Sequence, residues 1–356
     1  MPKIKQPDFS GQTIFCGIDV HKNSWRVNVR DDQFELENYS QDPNEELLLK
    51  HLQKRYPGAN FQVAYEAGFS GFGLQRSLKS SGISCMVVNP ADVPLTDKDK
   101  KRKSDRIDAR KICRHLSHNS LRPIYVPSIK MEHARALVRQ RSKLVSDQTR
   151  CKSRIWGFLM VHGLALKMGK PNDYWSRRFI ESLKTLAGLT PLLRHSLDVK
   201  LEEYLFIRKL VGNMTKQIRI LSIQKSFASL QSLIQGIPGI GLLNSMVIIT
   251  ELQDMKRFKT LDRLCSYAGI VPDTSSSADR TTVKGITHRS NDYLRKALVE
   301  SSWVIIRKDM AMLQLYKKYC RRMVPNKAII KIARHLLSRI RYVWTNRIEY
   351  EVGLVG

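Results

Sequence analysis

The chain is short of cysteine, of acidic side chains and of long apolar runs, and each shortage excludes something. Its six cysteines, Cys16, Cys85, Cys113, Cys151, Cys265 and Cys320, include no CxxC pair. That argues against a zinc ribbon, a disulfide framework or a thiolate metal site, and it fits a reducing compartment. No stretch reaches the roughly 18 to 20 apolar residues that a membrane-spanning helix needs, and the opening MPKIKQPDFSGQTIF has no apolar signal-peptide core. A soluble cytoplasmic protein with no membrane partner is the expectation. No GxxxxGK[ST] sequence occurs, so nothing points to an ATP-driven step. Acidic residues number 32 against 61 Lys and Arg, a formal net charge of +29 spread along the chain rather than gathered in a tail. Such an excess favours a polyanion, and so nucleic acid, as partner.

What is present divides into three segments. In the first, residues 10–127, TIFCGIDV and WRVNVR read as strands joined by the polar turn HKNS, and FELENYS as a third. PNEELLLKHLQKRYPG reads as a helix, with Leu47, Leu48 and Leu52 at helical spacing and Pro57-Gly58 as its stop. NFQVAYEAG then makes a strand, GFGLQRSLKSSG a short helix and ISCMVVNP a last strand. This order predicts an α/β layer of a hairpin meander followed by crossover units.

Four carboxylates stand at telling places in that layer. Asp19 ends the first strand and Glu66 the fourth, and functional groups in open α/β sheets collect at strand carboxyl ends. If the two strands are neighbours, the carboxylates converge. Beyond a lysine-rich linker, SDRIDARKICRHL reads as a helix capped by Ser104, with Asp105 and Asp108 three apart on one face. Four such oxygen donors suit two Mg2+ ions, with Mn2+ as a substitute, for chemistry on a phosphodiester. The surrounding Lys101, Arg102, Lys103 and Arg106 are expected to hold the nucleic-acid backbone.

Residues 128–231 form the middle segment. Ile129 to Gly163 and Leu192 to Leu233 each read as one long amphipathic helix, together a coiled-coil-like arm. The basic side of the first, including Arg135, Arg139 and Arg141, tracks a nucleic-acid backbone or faces water. Residues 232–350 read as a mainly α domain. In it IPGIG precedes a helix as in a helix-hairpin-helix element, where Gly239 and Gly241 let backbone amides approach phosphate. After Pro272, DTSSSADRTTVKGITHRS reads as a hydroxyl-rich loop running into a helix near Asn291. Lys284, His288, Arg289 and Arg295 are candidate phosphate contacts, and Trp344, Leu336 and Ile340 are core candidates.

GIDVHK, YEAGFSGFGLQRSLKSSGI, VVNP and KRKSDRIDARK together resemble the N-terminal domain of the DEDD transposases, insertion-sequence recombinases related to the Piv-type invertases. The resemblance extends from about Ile14 to Trp344. It implies a RuvC-like, RNase H-like fold in which the four family carboxylates correspond to Asp19, Glu66, Asp105 and Asp108. It also implies a catalytic serine five residues after the segment's proline, which is Ser277, with Ser276 beside it. Ala278 and Ser290 stand where that family has glycine. Further implications are a 5′-phosphoserine link to DNA at the element ends and target, a bridge RNA as guide, and a homodimer that pairs into a tetramer in the synapse. The competing expectations are a metal-dependent nuclease of the Holliday-junction resolvase kind, using water instead of Ser277, and a nucleic-acid scaffold with idle carboxylates.

Overall fold

The computed structural model describes residues 8–94, 105–164, 174–277, 280–287 and 290–353. The chain divides into two compact units, Met1–Val126 and Pro127–Gly356.

In the first unit, β1 (Thr13–Val20), β2 (Trp25–Arg30) and β3 (Glu35–Gln41) form an antiparallel meander, and β4 (Asn60–Glu66) and β5 (Ser84–Val88) extend it in parallel. The sheet order is β3-β2-β1-β4-β5. Helices α1 (Glu45–Arg55) and α2 (Gly73–Ser80) supply the crossovers, and α3 (Asp105–Ser117) follows the last strand. Helix α1 starts where Asn44 accepts from the amides of Glu46 and Leu47. Acidic residues fill its first turn and basic ones its last, as the helix dipole favours. This is the RuvC-like, RNase H-like α/β architecture expected from the sequence.

Side chains alternate across the strands and so divide the core in two. Ile14, Cys16, Ile18, Val63 and Tyr65 turn to one face and pack with Leu48, Leu52, Leu74 and Leu78 of α1 and α2. Phe15, Ala64 and Val88 turn to the other, where Ile112, Cys113 and Leu116 of α3 cover them. Gly17 permits this second layer. A methyl group there would lie 2.5 Å from the Ala109 carbonyl oxygen and 2.7 Å from Cys113 Cβ. The close seat is fixed by Cys113, whose Sγ donates to the Phe15 carbonyl at 3.2 Å. Burial pushes that thiol up to about 12, so it remains a neutral donor rather than a nucleophile.

The second unit opens with a long helical arm. Helix α4 (Ile129–Val161) starts at Ser128, which accepts from the Met131 amide, and extends about 50 Å at 1.5 Å per residue. After the short α5 (Arg177–Lys184), helix α6 (Pro191–Ser222) returns alongside α4. The two are antiparallel, since Arg141 donates to Thr215 while Arg154 donates to Glu203 farther along. Leu192 to Leu233 is expected as one helix, but α6 ends at Ser222 and α7 (Ala228–Gln235) begins afresh. Phe227, between them, is buried in the core of the following helices. That core takes in α8 (Leu242–Leu252), α9 (Leu261–Ala268), α10 (Asp292–Ile305), α11 (Met310–Cys320) and α12 (Pro325–Asn346). Leu336, Ile340 and Trp344 lie in it as expected, and so do Ala134 and Val138 from the root of α4.

The hydroxyl-rich stretch is not a loop. Residues Pro272–Ser277 and Arg280–Ile286 pair as the antiparallel hairpin β6-β7, with Ser277 opposite Arg280. Serine, threonine, aspartate and glycine gave the segment a loop-like composition, while the β-branched run TTV carried the strand preference. Among the described residues, no helix is long and apolar enough to cross a membrane.

Candidate active site

Parallel pairing of β1 and β4 sets Ile18 opposite Tyr65, and Asp19 and Glu66 are the next residue on each strand. Gly17 and Ala64 are also a registered pair. Two residues on from each, Asp19 and Glu66 return to the same face, the one that α3 covers. The chain leaves β4 through a turn held by Tyr65, whose hydroxyl donates to the Gly71 carbonyl at 3.0 Å and accepts the Gln75 amide at 3.3 Å.

Helix α3 lies antiparallel to β1, with Cys113 over Phe15 and Gly17 and its N-terminus toward Asp19. A strand rises about 3.3 Å per residue and a helix about 1.5 Å. Two residues of β1, from Gly17 to Asp19, therefore match roughly four of α3, which brings the turn 105–108 level with Asp19. Asp108 stands one turn before the buried Ile112 and so continues the sheet-facing stripe of the helix; Asp105 is its first residue. Asp105 and Arg106 are placed here as backbone positions only. Lys101, Arg102, Lys103 and Arg289 lie outside the described residues, as does His288.

Two of the carboxylates have basic neighbours. His21 Nε2 is 3.1 Å from Asp19 Oδ2, and Lys111 Nζ is 3.3 Å from Asp108 Oδ1. The Asp19 and Asp108 side chains keep 20% and 26% of their surface exposed, so water and a phosphate can reach them. Among the described residues, no three His, Cys, Asp or Glu side chains close into a metal-holding group. Asp19 and Glu66 are carboxylates on one face of the sheet, and carboxylate oxygens are the donor type that hard divalent cations take.

In the second unit Ser277 is the last residue of β6, at the far end of the hairpin from its attachment. Lys284 lies on β7 and, like Ser277, is described as a backbone position. Two of the expected phosphate contacts also have internal work. Gly239, at φ +91°, sits where a methyl group would lie 2.6 Å from the Ser301 carbonyl oxygen of α10, so its glycine serves close packing. Arg295 is 19% exposed and donates to the Thr287 carbonyl at 2.6 Å, tying the exit of β7 to α10. Gly241 is different: it is the N-cap of α8, and among the described residues nothing lies within 4 Å of where a side chain on it would begin.

Sequence reasoning missed a buried ionic cluster behind this hairpin. Glu251 is fully buried, and Arg139 grips it through two bonds, Nε to Oε1 at 2.6 Å and Nη2 to Oε2 at 2.7 Å. Arg139 is therefore paired inward rather than tracking a nucleic-acid backbone. Its neighbour Arg135 is held below the usual arginine range, first by burial and then by the charge of Arg139. The one signal in the sequence was a carboxylate inside the apolar run MVIITEL.

The transposase model specific to DEDD proteins of the IS110 type matches residues 16–162, which include Asp19, Glu66, Asp105 and Asp108. A second model, the transposase IS116/IS110/IS902 family, matches residues 231–317, which include Ser277. The chain belongs to the IS110/IS1111 family of DEDD transposases. Individual relatives agree along most of this transposase's length. A Sinorhizobium fredii protein, y4qE, provisionally named a transposase, is 28% identical over 81% of this chain and 71% of its own. The transposase for insertion sequence element IS1111A of Coxiella burnetii is 27% identical over 65% of this chain, and the match spans 62% of that relative, a little under two thirds. The transposase for element IS1328 of Yersinia enterocolitica is 24% identical over 82% and 84%. The protein is thus a transposase and recombinase enzyme that acts on DNA.

Proposed function

We propose that this transposase breaks and rejoins DNA strands with Ser277 as nucleophile, while Asp19, Glu66, Asp105 and Asp108 hold divalent metal at the scissile phosphate. The observation that carries the proposal is the parallel pairing of β1 with β4, which aligns Asp19 and Glu66 on the face covered by α3. Bound Mg2+ or Mn2+ would supply charge stabilisation to the phosphate and would ease loss of the attacking hydroxyl's proton. The carboxylates fix where that charge sits. Ser277 Oγ forms a bond to phosphorus and gives up its proton, the bond to the 3′-oxygen breaks, and that oxygen leaves as a hydroxyl. The product is a 5′-phosphoserine link that conserves the energy of the phosphodiester, so a 3′-hydroxyl of another strand can reverse the step and free the serine. A serine hydroxyl is a poor nucleophile without such activation.

The basic excess is expected to hold the polymer. Lys101, Arg102, Lys103, Arg106, Lys284 and Arg289 are the proposed backbone contacts, with the open helix N-terminus at Gly241 as a further phosphate seat. A net charge of +29 suits two nucleic acids as well as one, in keeping with a guide RNA that delegates sequence choice to base pairing. Strand exchange needs paired sites, so a homodimer on each DNA and a tetramer in the synapse complete the proposal.

The test is a suicide-substrate assay with Mg2+, element-end DNA and the element's non-coding RNA, comparing wild type with Ser277→Ala and Asp105→Ala. Covalent protein–DNA linkage that either substitution abolishes is the expected result. Cleavage without linkage, unaffected by Ser277→Ala, would overturn it in favour of a resolvase-like nuclease using water.

A further inference from the structure

The buried cluster around Glu251 raises a physical question. A carboxylate in the last turn of α8 faces the negative end of the helix dipole, and removing it from water is costly unless it is paired. Here every partner comes from a different element. Arg139 reaches it from α4. Asn291 Nδ2 donates to Oε2 at 2.7 Å from the start of α10. The Tyr267 hydroxyl, from α9, donates to the Glu251 main-chain carbonyl at 3.1 Å.

Two of those partners are also the legs of the serine hairpin. Tyr267 lies just before the chain enters β6, and Asn291 just after it leaves β7. They are bonded to each other twice: the Asn291 amide donates to the Tyr267 carbonyl at 3.1 Å, and Asn291 Nδ2 to the Tyr267 hydroxyl at 3.2 Å. Asn291 also caps α10, its Oδ1 accepting from the Leu294 amide. Arg139 adds a stacking contact on Tyr293, 4.9 Å from the ring centroid, in the first turn of the same helix. The hairpin that carries Ser277 is therefore clamped at its root, and the clamp is fastened to the long arm.

We propose that Glu251, through Asn291 and Tyr267, is a positioning residue for Ser277, holding the root of the β6-β7 hairpin in register with α4. The proposal rests on Ser277 being the nucleophile. None of the three residues touches DNA in it; they act by restricting where the hairpin can point. Displacements near 1 Å at a reacting group lower rates by about a hundredfold, so a loosened clamp should slow the chemical step while leaving DNA binding alone.

Asn291→Ser separates this role from folding, because serine retains the helix-capping oxygen and removes the donor to Glu251. Glu251→Gln, which keeps the shape and removes the charge, is the stronger perturbation. The full-length proteins would be loaded with RNA and a suicide element-end duplex, and three quantities followed: the single-turnover rate of covalent linkage, the DNA affinity, and the thermal unfolding midpoint. The expected result for Asn291→Ser is linkage about tenfold slower, and for Glu251→Gln about a hundredfold slower. For Asn291→Ser, DNA affinity is unchanged and the midpoint moves by no more than a few degrees. A folded Asn291→Ser protein that links at the wild-type rate overturns the proposal, as does a loss that follows DNA affinity. Failure of the serine assignment looks different: Ser277→Ala then still forms the linkage, or wild type forms none, and the proposal falls with it.

Discussion

Carboxylates in the two units of this chain live under opposite conditions. Asp19 and Asp108 stand at the open end of a sheet face, each with part of its surface exposed, one near a histidine and the other near a lysine. Glu251 has no exposed surface and is held by a two-pronged arginine. A carboxylate that must receive a cation from solution cannot be saturated by the protein's own cations, whereas one that braces helices has to be. Exposure and partner thus separate the residues offered for chemistry from the residue offered for geometry, although all are acidic and all are close to proposed catalytic elements.

The sharpest way to break this comparison is to truncate one member of each kind. Glu251→Ala leaves the Arg139 guanidinium half-buried with no counter-charge and should cost about 3 to 5 kcal/mol, measured by denaturant unfolding of the second unit's transition. Asp19→Ala should move the same measurement for the first unit by less than about 1 kcal/mol. Similar losses for both would mean that Asp19 is braced like Glu251. Next in size is Gly17→Ala. Its methyl group has no room beneath α3, and an overpacked core costs about 1 to 3 kcal/mol. Because the displaced helix carries Asp105 and Asp108, strand cleavage should fall further than stability does. Unfolding and cleavage assays on one preparation would reveal whether the two losses separate. Smaller again is Lys111→Met. The pair is part-buried, with Lys111 13% and Asp108 26% exposed, and removing it should cost about 1 kcal/mol. Tighter Mg2+ or Mn2+ dependence of cleavage, read as a lower midpoint in a metal titration, is the expected gain.

The first unit was legible because its determinants are local and periodic. The strands, the crossover helices and the helix bearing Asp105 and Asp108 all follow from alternation, spacing and punctuation by Pro and Gly, and the site residues fall at ends that such patterns mark. What could not be read there was the β1-β4 pairing, a long-range choice on which the convergence of Asp19 and Glu66 depends. The second unit was harder for physical reasons. A hairpin built of serine and threonine looks like a loop until its partner strand is known. The break between Ser222 and Ala228 follows from Phe227 finding a pocket in a core assembled from distant helices. Arg139 and Glu251 are 112 residues apart, and no periodicity joins residues so far separated.

The turn at Gly269 carries a last consequence, for exchanging parts between relatives. At φ +69° this glycine closes α9, and a methyl group on it would strike Ser290 Cβ and the Arg295 guanidinium, with Ser290 Cα 3.1 Å away. With Ser290 and Arg295 packed against it and its φ positive, position 269 of this chain has no room for a side chain. A hybrid enzyme that joins Ser290 and Arg295 of this chain to a flanking helix with a residue larger than glycine at position 269 inherits that clash. Crossovers placed before Gly269 and after Arg295 would carry the whole contact across intact.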